Sequence, residues 1–114
     1  MNIERELEKI EISKRKKKEI AKLLNKLKKE LKVEEAYIFG SRVYGNPLRE
    51  SDIDILIVSD EFKNKGFIEN MIRVSMLLVG NLDVEIFPYS REDLIKYKGK
   101  KIVITEALEK GMRI

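Results

Sequence analysis

The sequence contains no cysteine, no histidine and no tryptophan. Without cysteine the chain can form no disulfide, offers no thiolate nucleophile and cannot build a cysteine-ligated zinc site. Without histidine a serine–histidine triad is excluded, and a general base must be a carboxylate or come from the substrate. Any metal ion must be held by oxygen ligands, which favours Mg²⁺, Mn²⁺ or Ca²⁺ over Zn²⁺.

Long apolar runs are also missing. No segment approaches the ~18–20 apolar residues of a membrane span, and no charged-then-apolar leader suggests export. We therefore expect a cytoplasmic protein with no membrane association. At 114 residues the chain is expected to form one domain.

The charge is unevenly distributed, although the net charge is only +4. Residues 13–32 read SKRKKKEIAKLLNKLKKELK, and almost all of their charges are positive. This segment is either a solvated helix face or a surface for a phosphate-rich or acidic partner.

Apolar periodicity predicts alternating helices and strands. The predicted helices lie at residues 3–31 (with a break near 13–18), 41–44, 66–79, after Ser90 and at 102–110; the predicted strands lie at 36–39, 52–59 and 82–87. Pro88 is expected to close the third strand, and the Ser90-x-x-Asp93 pattern is typical of a capping box. The order predicts an α/β (α+β) fold, with a small mixed sheet of about three strands flanked by helices.

Two elements carry clear expectations about burial. In the second strand, Ile53, Ile55 and Ile57 point one way and Leu56 and Val58 the other, so the strand is expected to be central and covered on both faces. In the helix at 66–79, four apolar residues recur at helical spacing and are expected to face the core. They are Ile68, Ile72, Met76 and Val79. Met71 and Met76 are interpreted as core filler.

Asp52 and Asp54 open the second strand at positions i and i+2. They point to one face, with Cα atoms about 6.5–7 Å apart, and such like charges require a cation between them or screening by water. The preceding Gly40-Ser41 turn offers backbone N–H groups and a hydroxyl to phosphate oxygens. A third carboxylate from the third strand, Glu85 or Asp83, would complete a site for a metal-bound polyphosphate.

Structural alternatives exist for each of these residues. The two aspartates could be a pair at the start of a strand whose charges are screened by water or by the lysines. Gly40-Ser41 could be only a tight turn, and Asp83 and Glu85 could be ordinary exposed strand residues. For Arg42, Arg49 and Ser51, structural roles and ligand contact are both open.

Gly40-Ser41, ten intervening residues, and then Asp52-Ile53-Asp54 before an apolar strand resemble a known signature. It is that of the nucleotidyltransferase superfamily related to DNA polymerase beta, and the sequence is similar in particular to the minimal nucleotidyltransferase (MNT) proteins. The resemblance extends to residues 84–89 and 106–111.

The resemblance implies one nucleotidyltransferase domain over residues 1–114, with an N-terminal helical segment (1–32) and a catalytic core (33–114). It implies that Asp52, Asp54 and Glu85 are catalytic metal ligands, with Asp83 as the alternate third ligand, and that Gly40, Ser41, Arg42 and Ser51 bind the nucleotide phosphates. Two positions depart from the family pattern: the third carboxylate is Glu where Asp is more usual, and Tyr44 stands where many members have arginine.

Three hypotheses about function follow. In the first, the protein transfers AMP from ATP with Mg²⁺, or Mn²⁺, to a hydroxyl of a macromolecule, and the resemblance to MNT proteins implies a tyrosine of a HEPN-type toxin. In the second, it is a non-catalytic antitoxin that neutralises its partner by binding, which an exposed apolar patch on a helix would favour. In the third, the lysines of residues 13–32 bind RNA. The acceptor, the base preference and a homo-oligomeric state are left open.

Overall fold

The computed structural model describes residues 2–40, 53–78 and 84–114 of the chain. Its elements are α1 (Ile3–Leu7), α2 (Lys14–Leu31), β1 (Glu35–Phe39), β2 (Ile53–Val58), a 3₁₀ turn (Asp60–Phe62), α3 (Phe67–Ser75), β3 (Val84–Tyr89), α4 (Arg91–Tyr97), α5 (Ile102–Lys110) and β4 (Met112–Arg113). The predicted α+β class is confirmed, with helices on both faces of a sheet.

The sheet has four strands in the order β3-β2-β1-β4. β1 is antiparallel to both β2 and β4, whereas β2 and β3 run parallel. A parallel pair needs a crossover connection, and α3 lies in that connection. The prediction that β2 is central is confirmed.

Each face of the sheet has its own apolar core. Ile38, Ile55 and Ile86 point into the core formed with α1, α2 and α3. Phe39, Leu56 and Tyr89 point to the opposite face, where α4 and α5 cover them. Because strand side chains alternate between faces, the apolar residues on both sides of β2 place it in the middle of the molecule.

Several predicted boundaries are confirmed. The last helix covers Ile102–Lys110 and ends at Gly111, as predicted. Ser90 caps α4 in the predicted capping box: its hydroxyl accepts from the Asp93 N–H, and the Asp93 carboxylate accepts from the Ser90 N–H. The long N-terminal helix is interrupted, but earlier than the predicted position near residues 13–18: the break lies between Leu7 and Lys14, and Ser13 caps the second part.

Two strand predictions were incomplete. Pro88 lies inside β3, paired in register with Ile57, and does not close the strand. β3 is an edge strand of the described sheet. Proline is tolerated in an edge strand because the N–H that it lacks is not needed for a hydrogen bond to a neighbouring strand. The strand β4 was missed, because two residues after a helix carry no periodic signal. The helix predicted at 41–44 lies outside the described residues.

The expected burial of α3 is wrong for three of the four residues, and the fourth, Val79, lies outside the described residues. Ile68, Ile72 and Met76 are 71%, 55% and 79% exposed, whereas Val74 and the polar Asn70 are buried. The Asn70 side-chain NH₂ donates to the Phe62 carbonyl oxygen at 3.1 Å, which gives the buried donor a partner; its Oδ1 has none among the described residues. Met71 is half-buried. The helix therefore presents an apolar stripe, Ile68–Ile72–Met76, to solvent.

Glu35, at the start of β1, connects three elements. Its carboxylate accepts hydrogen bonds from Tyr37 Oη at 2.8 Å, Arg91 Nη2 at 3.0 Å and Arg113 Nη2 at 3.1 Å. Burial raises the pKa of Glu35, but the hydrogen bonds from Tyr37 and Arg91 and the charge of Arg113 outweigh it, so the pKa lies below its ordinary value of 4.5.

We expect Glu35→Gln to lower the free energy of unfolding at pH 7 by about 2 kcal/mol, the scale of hydrogen bonds to a charged group. A carboxylate whose pKa is lowered by folding adds stability above its unfolded pKa and loses it as the pH falls through the folded pKa. The difference from wild type should therefore shrink below about pH 4. The matched control is Glu34→Gln, whose half-exposed carboxylate pairs, among the described residues, with Arg91 alone. An undiminished difference at acid pH, measured by denaturant unfolding, would contradict the electrostatic explanation.

Candidate active site

Asp54 and Glu85 occupy matching positions on neighbouring strands. They are register partners in the parallel β2–β3 pair, so their Cα atoms are separated by about the 4.8 Å strand spacing and their side chains leave the same face. Asp54 is half-buried and Glu85 is exposed. Two carboxylates from separate parts of the chain are thus brought side by side, with access from solvent.

The carboxylates stand at the end of an apolar layer. Phe39 is the antiparallel register partner of Asp54, and its ring lies 5.9 Å from the ring of Phe87, two residues beyond Glu85 on the same face. Leu56, two residues beyond Asp54, is fully buried. Apolar surroundings lower the local dielectric constant on one side, which strengthens the attraction of the carboxylates for a cation.

Gly40 lies next to this pair, directly after Phe39 at the end of β1. It is buried and its φ is +107°, in the left-handed region that favours glycine. The absence of a side chain also lets another group approach the backbone closely. The first residue of the predicted phosphate-binding turn therefore lies beside the carboxylates, at the same end of the sheet.

The other predicted site residues lie outside the described part of the chain. They are Ser41, Arg42, Ser51, Asp52 and Asp83. Within residues 2–40, 53–78 and 84–114, no three acidic side chains form a group suited to a metal ion. The structure thus brings Gly40, Asp54 and Glu85 together, and the roles of all these residues stay predictions.

The donor set fits a hard divalent cation. Mg²⁺ and Mn²⁺ prefer carboxylate oxygens and are commonly bound by one or two carboxylates together with substrate phosphates. Asp54 and Glu85 supply two carboxylates. In the sequence, Asp52 directly precedes Ile53, the first residue of β2.

Residues 20–110 match the family model described as nucleotidyltransferase domain. The chain belongs to this nucleotidyltransferase family. The predicted resemblance is therefore confirmed at the level of the family, and family membership indicates a transferase that moves a nucleotidyl group from a nucleoside triphosphate.

A solved structure supports the same assignment for this nucleotidyltransferase domain. A predicted nucleotidyltransferase of Sulfolobus solfataricus is 30% identical, with a TM-score of 0.58 over 69% of this chain and 70% of the other. BolA1 of Arabidopsis thaliana is 22% identical, with a TM-score of 0.50 over 66% of this chain and 94% of its own, which is a likeness of fold alone. The comparison with curated proteins gives no significant match.

The exposed apolar stripe of α3 in this nucleotidyltransferase domain was not predicted from the sequence. Periodicity alone could not reveal it, because the apolar residues of α3 occupy more than one face of the helix. In the folded chain the Arg73 guanidinium donates to the Glu61 carbonyl oxygen at 2.7 Å, a contact between α3 and the 3₁₀ turn that periodicity does not show. No helix in the described residues is long and apolar enough to cross a membrane.

Proposed function

We propose that the protein catalyses Mg²⁺-dependent transfer of AMP from ATP to a hydroxyl group. The observation that carries the proposal is the register pairing of Asp54 with Glu85 beside Gly40, within a member of the nucleotidyltransferase family. Asp52, Asp54 and Glu85 would hold the metal ions, with Asp83 as the alternate third ligand. The catalytic core would be residues 33–114, preceded by the helical segment 1–32.

The chemistry requires little beyond positioning and charge. The acceptor hydroxyl gives its proton to a carboxylate or to the substrate, and its oxygen attacks the α-phosphorus of ATP. A new O–P bond forms, the bond between the α-phosphorus and the bridging oxygen breaks, and pyrophosphate leaves. Bound Mg²⁺ would neutralise developing charge and lower the pKa of the attacking hydroxyl. The carboxylates would hold the metal ions that orient the phosphates. Because Gly40 has no side chain, the phosphates could approach the turn, where Ser41, Arg42 and Ser51 are the proposed contacts.

For the acceptor we propose a tyrosine of a HEPN-type toxin, with the protein acting as its cytoplasmic antitoxin. Support comes from the resemblance to MNT proteins in the Gly40-Ser41 and Asp52-x-Asp54 motifs. The test is incubation with labelled ATP, Mg²⁺ and the product of the neighbouring gene. We expect label on the partner, with no transfer when EDTA is present from the start or when the acceptor tyrosine is changed to phenylalanine. No label transfer under these conditions would contradict the proposal.

The alternative function, neutralisation by binding alone, is favoured by the exposed stripe of α3. Ile68, Ile72 and Met76 lie at i, i+4 and i+8, so they share one side of the helix. Large apolar residues grouped on a surface commonly mark interaction sites. α3 covers the face of the sheet opposite to the one from which Asp54 and Glu85 project. We take the occupant to be the same toxin.

We expect Ile72→Lys combined with Met76→Lys to weaken binding of the toxin at least about thirtyfold, the effect of losing one strong interface contact of ~2 kcal/mol. The matched control is Ile95→Lys with Ile102→Lys, which adds the same charge at residues 78% and 82% exposed on α4 and α5. Binding is measured by calorimetry. If neutralisation of the toxin survives loss of Asp54 but not the Ile72/Met76 double change, the protein neutralises by binding alone. Equal weakening of toxin binding by the two double variants would contradict docking on α3.

A further inference from the structure

Helix α2 holds the entire positive excess of the chain. Residues Lys14–Leu31 contain nine basic and two acidic residues, whereas the rest of the chain contains fifteen basic and eighteen acidic residues. Outside this helix the protein is therefore acidic. Charge separated in this way produces a local positive field that a mixed surface of the same net charge would not have.

The basic residues form a stripe on the side of α2 that faces solvent. Lys14, Lys18, Lys22 and Lys29 follow one another at helical spacing, with Asn25 among them, and all are exposed. They span about 22 Å of the helix at 1.5 Å per residue. The opposite side consists of leucines buried in the core, such as Leu24 and Leu27. We call these four lysines the lysine stripe.

The ammonium groups of the lysine stripe have no carboxylate within ion-pair distance among the residues that the structure describes. The one ion pair on α2 within that part of the chain joins Arg15 to Glu19 at 3.4 Å. Lys17, beside the stripe, donates to the Glu8 carbonyl oxygen at 3.3 Å. Four cations are thus left available on one side of one helix.

This arrangement is unfavourable for the helix itself. The first turn of α2 has no acidic residue, although the N-terminus of a helix carries a partial positive charge that favours anions and disfavours cations. Lys14, Lys18 and Lys22 also form like-charge pairs at i, i+4, which destabilise a helix. Helix stability therefore does not explain the stripe.

We propose that the lysine stripe binds the phosphate backbone of a nucleic acid without reading its sequence. A regularly repeated row of cations complements a regularly repeated row of anions. A protein partner is disfavoured because interface cores are depleted of lysine and enriched in aromatic residues and methionine, and the exposed side of α2 has neither. A membrane is disfavoured because the apolar side of the helix is buried and cannot enter lipid.

The neighbouring groove limits where the backbone lies. Between α1 and α2 there is a groove of 730 Å³, with Leu7 and Ala21 on its floor and lysines on its α2 side. Glu4 and Glu8 line the α1 side and repel phosphate. The backbone therefore follows α2 and does not cross onto α1.

The test compares two variants with the same change in charge. Lys14→Glu/Lys18→Glu/Lys22→Glu alters the stripe, and Lys98→Glu/Lys100→Glu/Lys110→Glu alters exposed lysines on the other side of the sheet. Binding of a fluorescent RNA oligonucleotide and of a DNA duplex is followed by anisotropy across a salt series. For RNA we expect the stripe variant to bind at least about tenfold more weakly at ~50 mM salt, with the slope of log K against log salt reduced by about two for three lost contacts. The control should keep the wild-type slope.

Misfolding is separated from loss of binding by thermal unfolding. Because Lys14→Glu places an acid in the first turn, the melting temperature of the stripe variant should equal or exceed that of wild type. Preference for RNA or for duplex DNA identifies which nucleic acid is the source of the phosphates. Three results would overturn the proposal: no wild-type binding at low salt, equal weakening in both variants, or equally tight binding of poly-glutamate, which would assign the stripe to an acidic protein.

Discussion

Replacement of Asp54 by asparagine is expected to reduce nucleotidyl transfer about a thousandfold or more while the fold is retained. Asparagine has the same shape but no charge, so the site loses one of the anionic ligands proposed for the metal. Charge stabilisation by a bound metal is worth several kcal/mol in phosphoryl-type chemistry, and each ~1.4 kcal/mol changes a rate tenfold. Glu85→Gln should lower the rate in the same direction, because Glu85 is the register partner of Asp54.

Metal binding provides a readout that does not depend on knowing the acceptor. A ligand that binds only the folded protein raises its melting temperature, so Mn²⁺ with ATP should stabilise the wild type and have little effect on Asp54→Asn. Glu109→Gln is the control, since this exposed carboxylate lies on α5 outside the site. Transfer that persists in Asp54→Asn, together with an unchanged response to the metal, would show that the Asp54–Glu85 pair is not the active site.

Replacement of Ile55 by alanine should lower the free energy of unfolding by about 3 kcal/mol, within the ~2–5 kcal/mol seen for such buried truncations. Ile55 is fully buried on the central strand and contributes to the core shared with α1, α2 and α3. For a domain of this size the melting temperature would fall by about 12 °C. Such a loss is a large part of the 5–15 kcal/mol that stabilises a typical domain.

The same substitution at Ile72 provides the matched control. Ile72 is 55% exposed, and alanine is the better helix former, so Ile72→Ala should change stability by no more than about 0.5 kcal/mol. Both variants are compared by urea unfolding. Equal losses at the two positions would show that the stripe of α3 is buried in solution, and would contradict its description as an exposed surface.

Most of the fold could be predicted from the sequence because its periodic signals were long and agreed with one another. β2 is apolar on both faces, and that pattern suits only a central strand. The burial of α3 could not be predicted, because the polar Asn70 is buried through a hydrogen bond to Phe62 that only the folded chain provides. β4 could not be predicted either, since its two residues become a strand only by pairing with β1.

The candidate site could be predicted in part. The Gly40-Ser41 and Asp52-x-Asp54 motifs are local in sequence, so a phosphate and metal site can be proposed from them, and the structure describes Gly40 and Asp54 at the same end of the sheet. The third carboxylate depends on how β3 aligns with β2, which local sequence does not determine. The register pairs Asp54 with Glu85, which favours Glu85 over Asp83 as the residue beside Asp54, and Asp83 itself lies outside the described residues.

The parallel register of β2 and β3 also determines which changes of chain length this fold can accept. A one-residue insertion or deletion within either strand would move Val84 or Ile86 into the position beside Asp54 and turn Glu85 to the opposite face, because side chains alternate with a period of two. Changes in the connection between residues 59 and 83 would leave the two carboxylates together. We therefore expect homologous chains to vary in length in this connection and to keep constant lengths from Asp54 to Val58 and from Glu85 to Tyr89.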